Sequence, residues 1–141
     1  MENKKLRGVM GIIEKDGKYL FGIESKNSPI KGKWRLIGGK LEGYETSEQA
    51  MRREALEETG MEIEVEEFLG TTQGSHRPID IDIVYARHVS GEPCAKLDEF
   101  SQLGWFSFEE THLMDIEPLS RCMFYLYRAN KQIRREMRAE Q

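Results

Sequence analysis

Hydrophobic and polar positions divide the chain into short apolar runs separated by turns rich in glycine and charge. Arg7 to Ile13 and Lys18 to Glu24 are two such runs joined by Asp16-Gly17, a strong hairpin signal, so the chain is expected to open with a β-hairpin. Ser25 to Lys33, with Asn27, Ser28, Pro29 and Gly32, reads as a loop of the kind that touches ligand when it borders a site. Trp34 to Ile37 reads as a short strand leading into Gly38-Gly39, with Trp34 in the core. Thr46 and Gln49 have the spacing of a capping box and Gly60 is a helix stop, which predicts a helix over Ser47 to Thr59. Glu62 to Leu69 alternates imperfectly through Ile63, Val65 and Phe68 and is read as a strand, and Gly70 to Pro78 as a polar turn holding a solvated His76. Ile79 to Val89 alternates strictly. Its isoleucines, Ile79, Ile81 and Ile83, are expected to face the core, and Asp80 and Asp82 to stand on the outer face, where carboxylates guard a sheet edge. Ser90 to Pro93 turns the chain, and Glu109 to Met114 reads as a short helix. From Pro118 onward, Leu119, Met123, Leu126, Tyr127 and Ile133 fall near helical spacing, which predicts a terminal helix packed on the sheet, with Lys131 to Arg138 as its solvated basic end. The order of elements gives an α+β fold.

Inside the predicted central helix, Glu54, Glu57 and Glu58 share one face, because side chains three and four residues apart are neighbours. Like charges at that spacing cost roughly 0.2–0.5 kcal/mol per pair. Carboxylates in the last turn also meet the negative end of the helix dipole, at roughly 0.3–1 kcal/mol each. Arg53 offsets only part of this. Such crowding makes sense if a cation sits there, and ligands that are all oxygen select a hard one, Mg²⁺ or Mn²⁺. Two glycines just upstream, Gly38 and Gly39, point to close approach of the backbone to something bulky or charged.

Composition narrows the classes. At 141 residues the chain is read as one domain spanning 1–141, long enough for a full core. Charged residues make up 33% and the formal net charge is −4, with no basic footprint for tight nucleic-acid binding. Cys94 and Cys122 lack metal-ligand spacing and are expected to be reduced thiols, and the apolar run in MENKKLRGVMGII is too short for a signal peptide or membrane span, so a cytoplasmic setting is expected.

Gly39, Glu45, Arg53, Glu54, Ala55, Glu57, Glu58, Gly60 and Met61 together resemble the Nudix box, the signature of the Nudix hydrolases (MutT-related), which cleave nucleoside diphosphates linked to another moiety. Weaker resemblance runs from Arg7 to Phe108. There are departures: Ile37 stands where proline is usual, Glu42-Gly43-Tyr44-Glu45 carries its glycine one place early, and Ala55 is small for a bulky apolar position. The resemblance implies a mixed β-sheet packed between helices, an α/β/α sandwich. It implies metal ligands at Glu54, Glu57 and Glu58, at the Gly38 carbonyl, and at Glu99, six residues before Trp105, with Asp98 as the competing acid. Catalytic roles fall to Glu54, Glu57 and Arg53, with Glu54 preferred over Glu99 as the base and Arg53 fixing carboxylate rotamers. Glu45 is expected to steady the loop and helix start, and Arg35, Gly39 and Lys40 to contact substrate. The implied substrate is a small nucleotide, either a nucleoside triphosphate or a nucleotide sugar. The alternatives are a silent nucleotide sensor and an RNA 5′-end pyrophosphohydrolase. A homodimer would use the apolar hairpin face or Met123-Phe124-Tyr125.

Overall fold

The computed structural model of this chain describes residues 6–25, 32–74, 78–96 and 99–140. Strands β1 (Leu6–Lys15) and β2 (Lys18–Glu24) flank Asp16 and Gly17, both in the left-handed region that a two-residue hairpin turn requires. The strand expected over Trp34 to Ile37 is split into β3 (Trp34–Arg35) and β4 (Ile37–Lys40). Leu36 breaks it by turning its N–H out of the sheet to donate to Ser120 Oγ at 3.0 Å. The remaining strands are β5 (Glu62–Gln73), β6 (Ile79–Ser90) and β7 (Phe100–Phe106). They form one mixed sheet in the order β3-β2-β1-β6-β5, with β4 paired to β1 and β7 to β2. Only the β1–β6 pairing is parallel among these strands. β1 bonds β2 near the hairpin turn and β4 over Gly8 to Gly11, so β4 enters where β2 diverges.

Helix α1 (Ser47–Thr59) covers one face of the sheet. Val9, Ile13, Ile37, Val84 and Phe100 meet its Ala50, Met51 and Ala55 there. On the other face Met10, Ile12, Phe21 and Ile83 pack with Phe124 of α3 (Pro118–Ala139). A four-residue helix, α2 (Phe108–Thr111), sits between, shorter than the Glu109 to Met114 reading and started by its own capping box from Ser107 and Glu110. The layering is helix, sheet, helix.

Three expectations are corrected by this packing. First, β5 runs past Leu69. Gly70 to Gln73 pair with Asp80 to Ile83 of β6, so those polar residues are strand and not turn, while His76 lies outside the described residues. Second, β6 is no edge. It lies between β1 and β5, and it is covered on both faces, as strands with a parallel neighbour usually are. Asp82 is therefore 6% exposed, beneath α1, and not a solvent-facing guard. Third, the buried stripe of α3 is Ser120 and Phe124, while Leu126 and Ile133 are exposed. Leu119, Met123 and Tyr127 pack against the core as their spacing predicts, but Phe124, fully buried, takes the centre of the contact, with edge contacts to Tyr19 at 4.8 Å and Phe21 at 5.4 Å between ring centres. Phe124 and the hairpin residues Met10, Ile12, Tyr19 and Phe21 are core, while Met123 and Tyr125 are half-buried.

Candidate active site

The predicted bounds of α1 hold, and they aim its glutamates. Thr46 Oγ1 accepts from Gln49 N, the Gln49 side chain accepts from Thr46 N, and Gly60 closes the helix in the left-handed region. Ahead of α1, the early glycine of the loop, Gly43, takes φ +53, so the turn is made there, and the following Tyr44 points into solvent.

The two upstream glycines differ in purpose. A Cβ on Gly38 would lie 2.0 Å from the Val9 carbonyl oxygen of β1, so this glycine lets two strands meet. A Cβ on Gly39 would press against all three atoms of the Glu54 carboxyl group, so that glycine makes room for a charge. Side-chain exposure is 13% for Glu54, and 59% for Glu57.

Arg53 organises the near side. Its Nε donates to Glu45 Oε2 at 2.7 Å, Nη2 to Glu45 Oε1 at 2.9 Å and to the Lys40 carbonyl at 3.0 Å, and Nη1 to Glu54 and Glu57, each at 3.1 Å. Glu45 Oε1 also accepts the Glu42 N–H at 2.7 Å, fixing the loop. The bonds from Arg53 first, then that backbone bond, hold the Glu45 carboxyl down at about 2. Arg53 itself is driven above its ordinary range, mainly by Glu45.

The far side is deeper. Glu58 is 5% exposed, and its Oε2 has no hydrogen-bond partner. Burial, then a hydrogen bond with Glu54, pushes its carboxyl up to about 9. The charges of Glu54 and Glu99 act in the same sense, and Arg35 opposes them. Arg35 is ion-paired with Glu24, donates from Nη1 to the Leu36 carbonyl at 2.8 Å and lies 4.6 Å over the Phe100 ring. The Glu99 carbonyl accepts from Ser25 N at 3.2 Å, which ties its turn to the end of β2. The structure thus gathers Glu54, Glu58, Glu99 and Arg35, places Glu57 outward on Arg53, and leaves the Lys40 side chain exposed. Asp98 lies outside the described residues.

Among the described residues no three acidic, histidine or cysteine side chains already converge as a cage for an ion. The donor set still fits a hard divalent cation: it is all oxygen, and the Glu58 carboxyl beside Glu54 keeps a buried oxygen without a partner. Sequence reasoning missed Glu24, which ends β2 as an apparently ordinary acid, and the contacts of Asp82. A groove of about 920 Å³ between β5 and α3, lined by Ile83, Tyr85, Met123 and Tyr127, contains none of the glutamates named above.

A mixed sheet sandwiched by helices, with a carboxylate-laden helix beside a double glycine, defines an α/β/α protein with an acidic site on one face of its sheet. Comparison with known proteins makes this specific. The NUDIX domain family matches residues 4–127, and the chain belongs to that family. It is 40% identical over 101 residues to an ADP-ribose pyrophosphatase of Methanocaldococcus jannaschii, covering 70% of this chain but 59% of that protein. It is 34% identical over 118 residues to a CTP pyrophosphohydrolase of Escherichia coli, covering 82% of this chain and 85% of that one. A solved NUDIX hydrolase from Nitrosomonas europaea superposes with a TM-score of 0.75 at 31% identity, covering 91% of each chain. No helix among the described residues is long and apolar enough to cross a membrane.

Proposed function

We propose that this chain is a single-domain, Mg²⁺- or Mn²⁺-dependent pyrophosphohydrolase that cleaves a nucleoside diphosphate linked to another moiety and releases a nucleoside monophosphate. The observation that carries the reading is Glu58: a buried carboxyl with an unpartnered oxygen, next to Glu54 and Glu99. A divalent cation held here supplies neutralisation of the diphosphate charge and water that ionises more readily. Glu54, Glu57, Glu58, Glu99 and the Gly38 carbonyl are its proposed holders. Glu54, seated against Gly39 and fixed by Arg53, takes the proton from the attacking water, with Glu99 as the competing base. Arg35, Gly39 and Lys40 line the approach for the phosphates. Retention of every box carboxylate favours turnover over silent sensing. Cys94 and Cys122, both free and exposed, suit a reducing, cytoplasmic setting.

The moiety beyond the diphosphate is either further phosphate or a sugar. The relatives' names divide on the point, one being an ADP-ribose pyrophosphatase and the other a CTP pyrophosphohydrolase. A panel of about twenty nucleoside triphosphates and nucleotide sugars, assayed with and without Mg²⁺, decides it. Metal-dependent release of a nucleoside monophosphate is expected, falling at least about 10²-fold in Glu54→Gln and Glu57→Gln. Full activity in both variants, or no hydrolysis of any member, contradicts the assignment.

A further inference from the structure

Asp82 lies 6% exposed beneath the start of α1 and accepts three side-chain hydrogen bonds from three separate elements. Arg7 Nη2 of β1 reaches its Oδ2 at 2.7 Å, Thr71 Oγ1 of β5 reaches Oδ1 at 2.8 Å, and the hydroxyl of Ser47, first residue of α1, donates to Oδ2. Two of these bonds fix the carboxylate to the sheet and one fixes the helix to the carboxylate. The negative charge also stands at the positive end of the α1 dipole. Burial acts to raise its pKa, but the bonds from Ser47, Thr71 and Arg7 outweigh it and hold the group below the ordinary aspartate range, so it stays charged.

We propose that Asp82 is a positioning residue that sets the tilt of α1 and through it the placement of Glu54, a role that rests on the metal-holding reading of the α1 glutamates. The far end of the helix is already clamped. The Thr59 carbonyl accepts Cys94 N at 2.9 Å and Thr59 Oγ1 accepts Met61 N at 3.2 Å. Freed at Ser47, α1 pivots about Thr59. At a uniform rise per residue, a shift of about 1 Å at Ser47 carries Glu54, five of the twelve residue steps from the pivot, by about 0.4 Å, and Glu58 by about 0.1 Å. Metal–ligand distances tolerate roughly 0.2 Å. Loss of the tie therefore falls on Glu54 and leaves Glu58 in place. Thr46 and Gln49 cap the helix but are exposed, and their side chains bond each other's backbone N–H, so they fix where α1 starts and not how it lies on the sheet.

The test is Mn²⁺ binding to the full chain, followed by the loss of the free-ion electron paramagnetic resonance signal and run beside thermal melts. Ser47→Ala and Asp82→Asn are expected to weaken Mn²⁺ binding roughly tenfold, as loss of groups that orient ligands commonly does. Ser47→Thr, which keeps the hydroxyl, restores it. Ile83→Val, next along β6 but facing α3, lowers the melting temperature and leaves Mn²⁺ affinity within about twofold of the parent chain. Should Asp82→Asn fail to fold, Ser47→Ala against Ser47→Thr carries the comparison. Parental affinity in Ser47→Ala and in any folded Asp82→Asn overturns the positioning role alone. Failure of the parent chain to bind Mn²⁺ overturns the metal reading and this role with it.

Discussion

Gly38 and Gly39 are chemically identical neighbours, and the structure gives them opposite consequences. At Gly38 an added methyl meets the rigid backbone of β1, whereas at Gly39 it meets the end of a flexible glutamate. Gly38→Ala is expected to destabilise the fold by about 3 kcal/mol or more. Gly39→Ala is expected to cost under about 1 kcal/mol in stability and about 10²-fold in kcat, since Glu54 moves and the strand does not. Chemical denaturation and steady-state assay of the pair check this, and equal stability losses would refute it. The glutamates and Arg53 were legible because their chemistry is written in their spacing along one helix. Gly39 was legible only as close approach to something charged, and that partner is Glu54, from the helix itself. Asp82 was misread because alternation reports which residues share a face and says nothing about what covers that face.

Among the elements, α1 was readable to the residue, since Thr46, Gln49 and Gly60 are local signals satisfied by local bonds. The far end of β5 was not. Gly70 to Gln73 are strand because β6 supplies their partners, a tertiary cause that their polar side chains hide. In α3 the apolar residues outnumber the places that bury them, and Leu126 and Ile133 are left exposed while Leu119, Met123 and Tyr127 pack beside Phe124. Phe124 meets Tyr19 and Phe21, and from residue 132 to 140 every position is exposed. Phe124→Ala should therefore cost about 3–5 kcal/mol. Ending the chain after Arg134, which keeps its 3.0 Å ion pair to Glu67, should change stability by no more than about 0.5 kcal/mol. Urea unfolding of the two variants measures both, and a large loss on truncation would show that the outer turns of α3 are packed.

The whole molecule carries, on the α1 side of its sheet, an acidic centre that is uncomfortable without a counter-charge. Glu58 shows the sign of that discomfort. Its carboxyl is raised in the folded state from 4.5 to about 9 by burial and by Glu54, so the folded chain binds a proton there that the unfolded chain has released. Below pH 4.5 both states hold the proton and there is no penalty. Above pH 4.5 folding stability falls as pH rises, until the folded-state carboxyl ionises as well. A cation that binds the ionised cluster of the folded state alone opposes the fall. The direct measurement is the unfolding free energy of the full chain from pH 5 to 9, taken metal-free and with saturating Mg²⁺. The account predicts a decline without metal and a stabilisation by Mg²⁺ that grows with pH and disappears in Glu58→Gln. A metal-free chain whose stability does not fall over that range, or a chain that Mg²⁺ leaves unchanged at every pH, would contradict it.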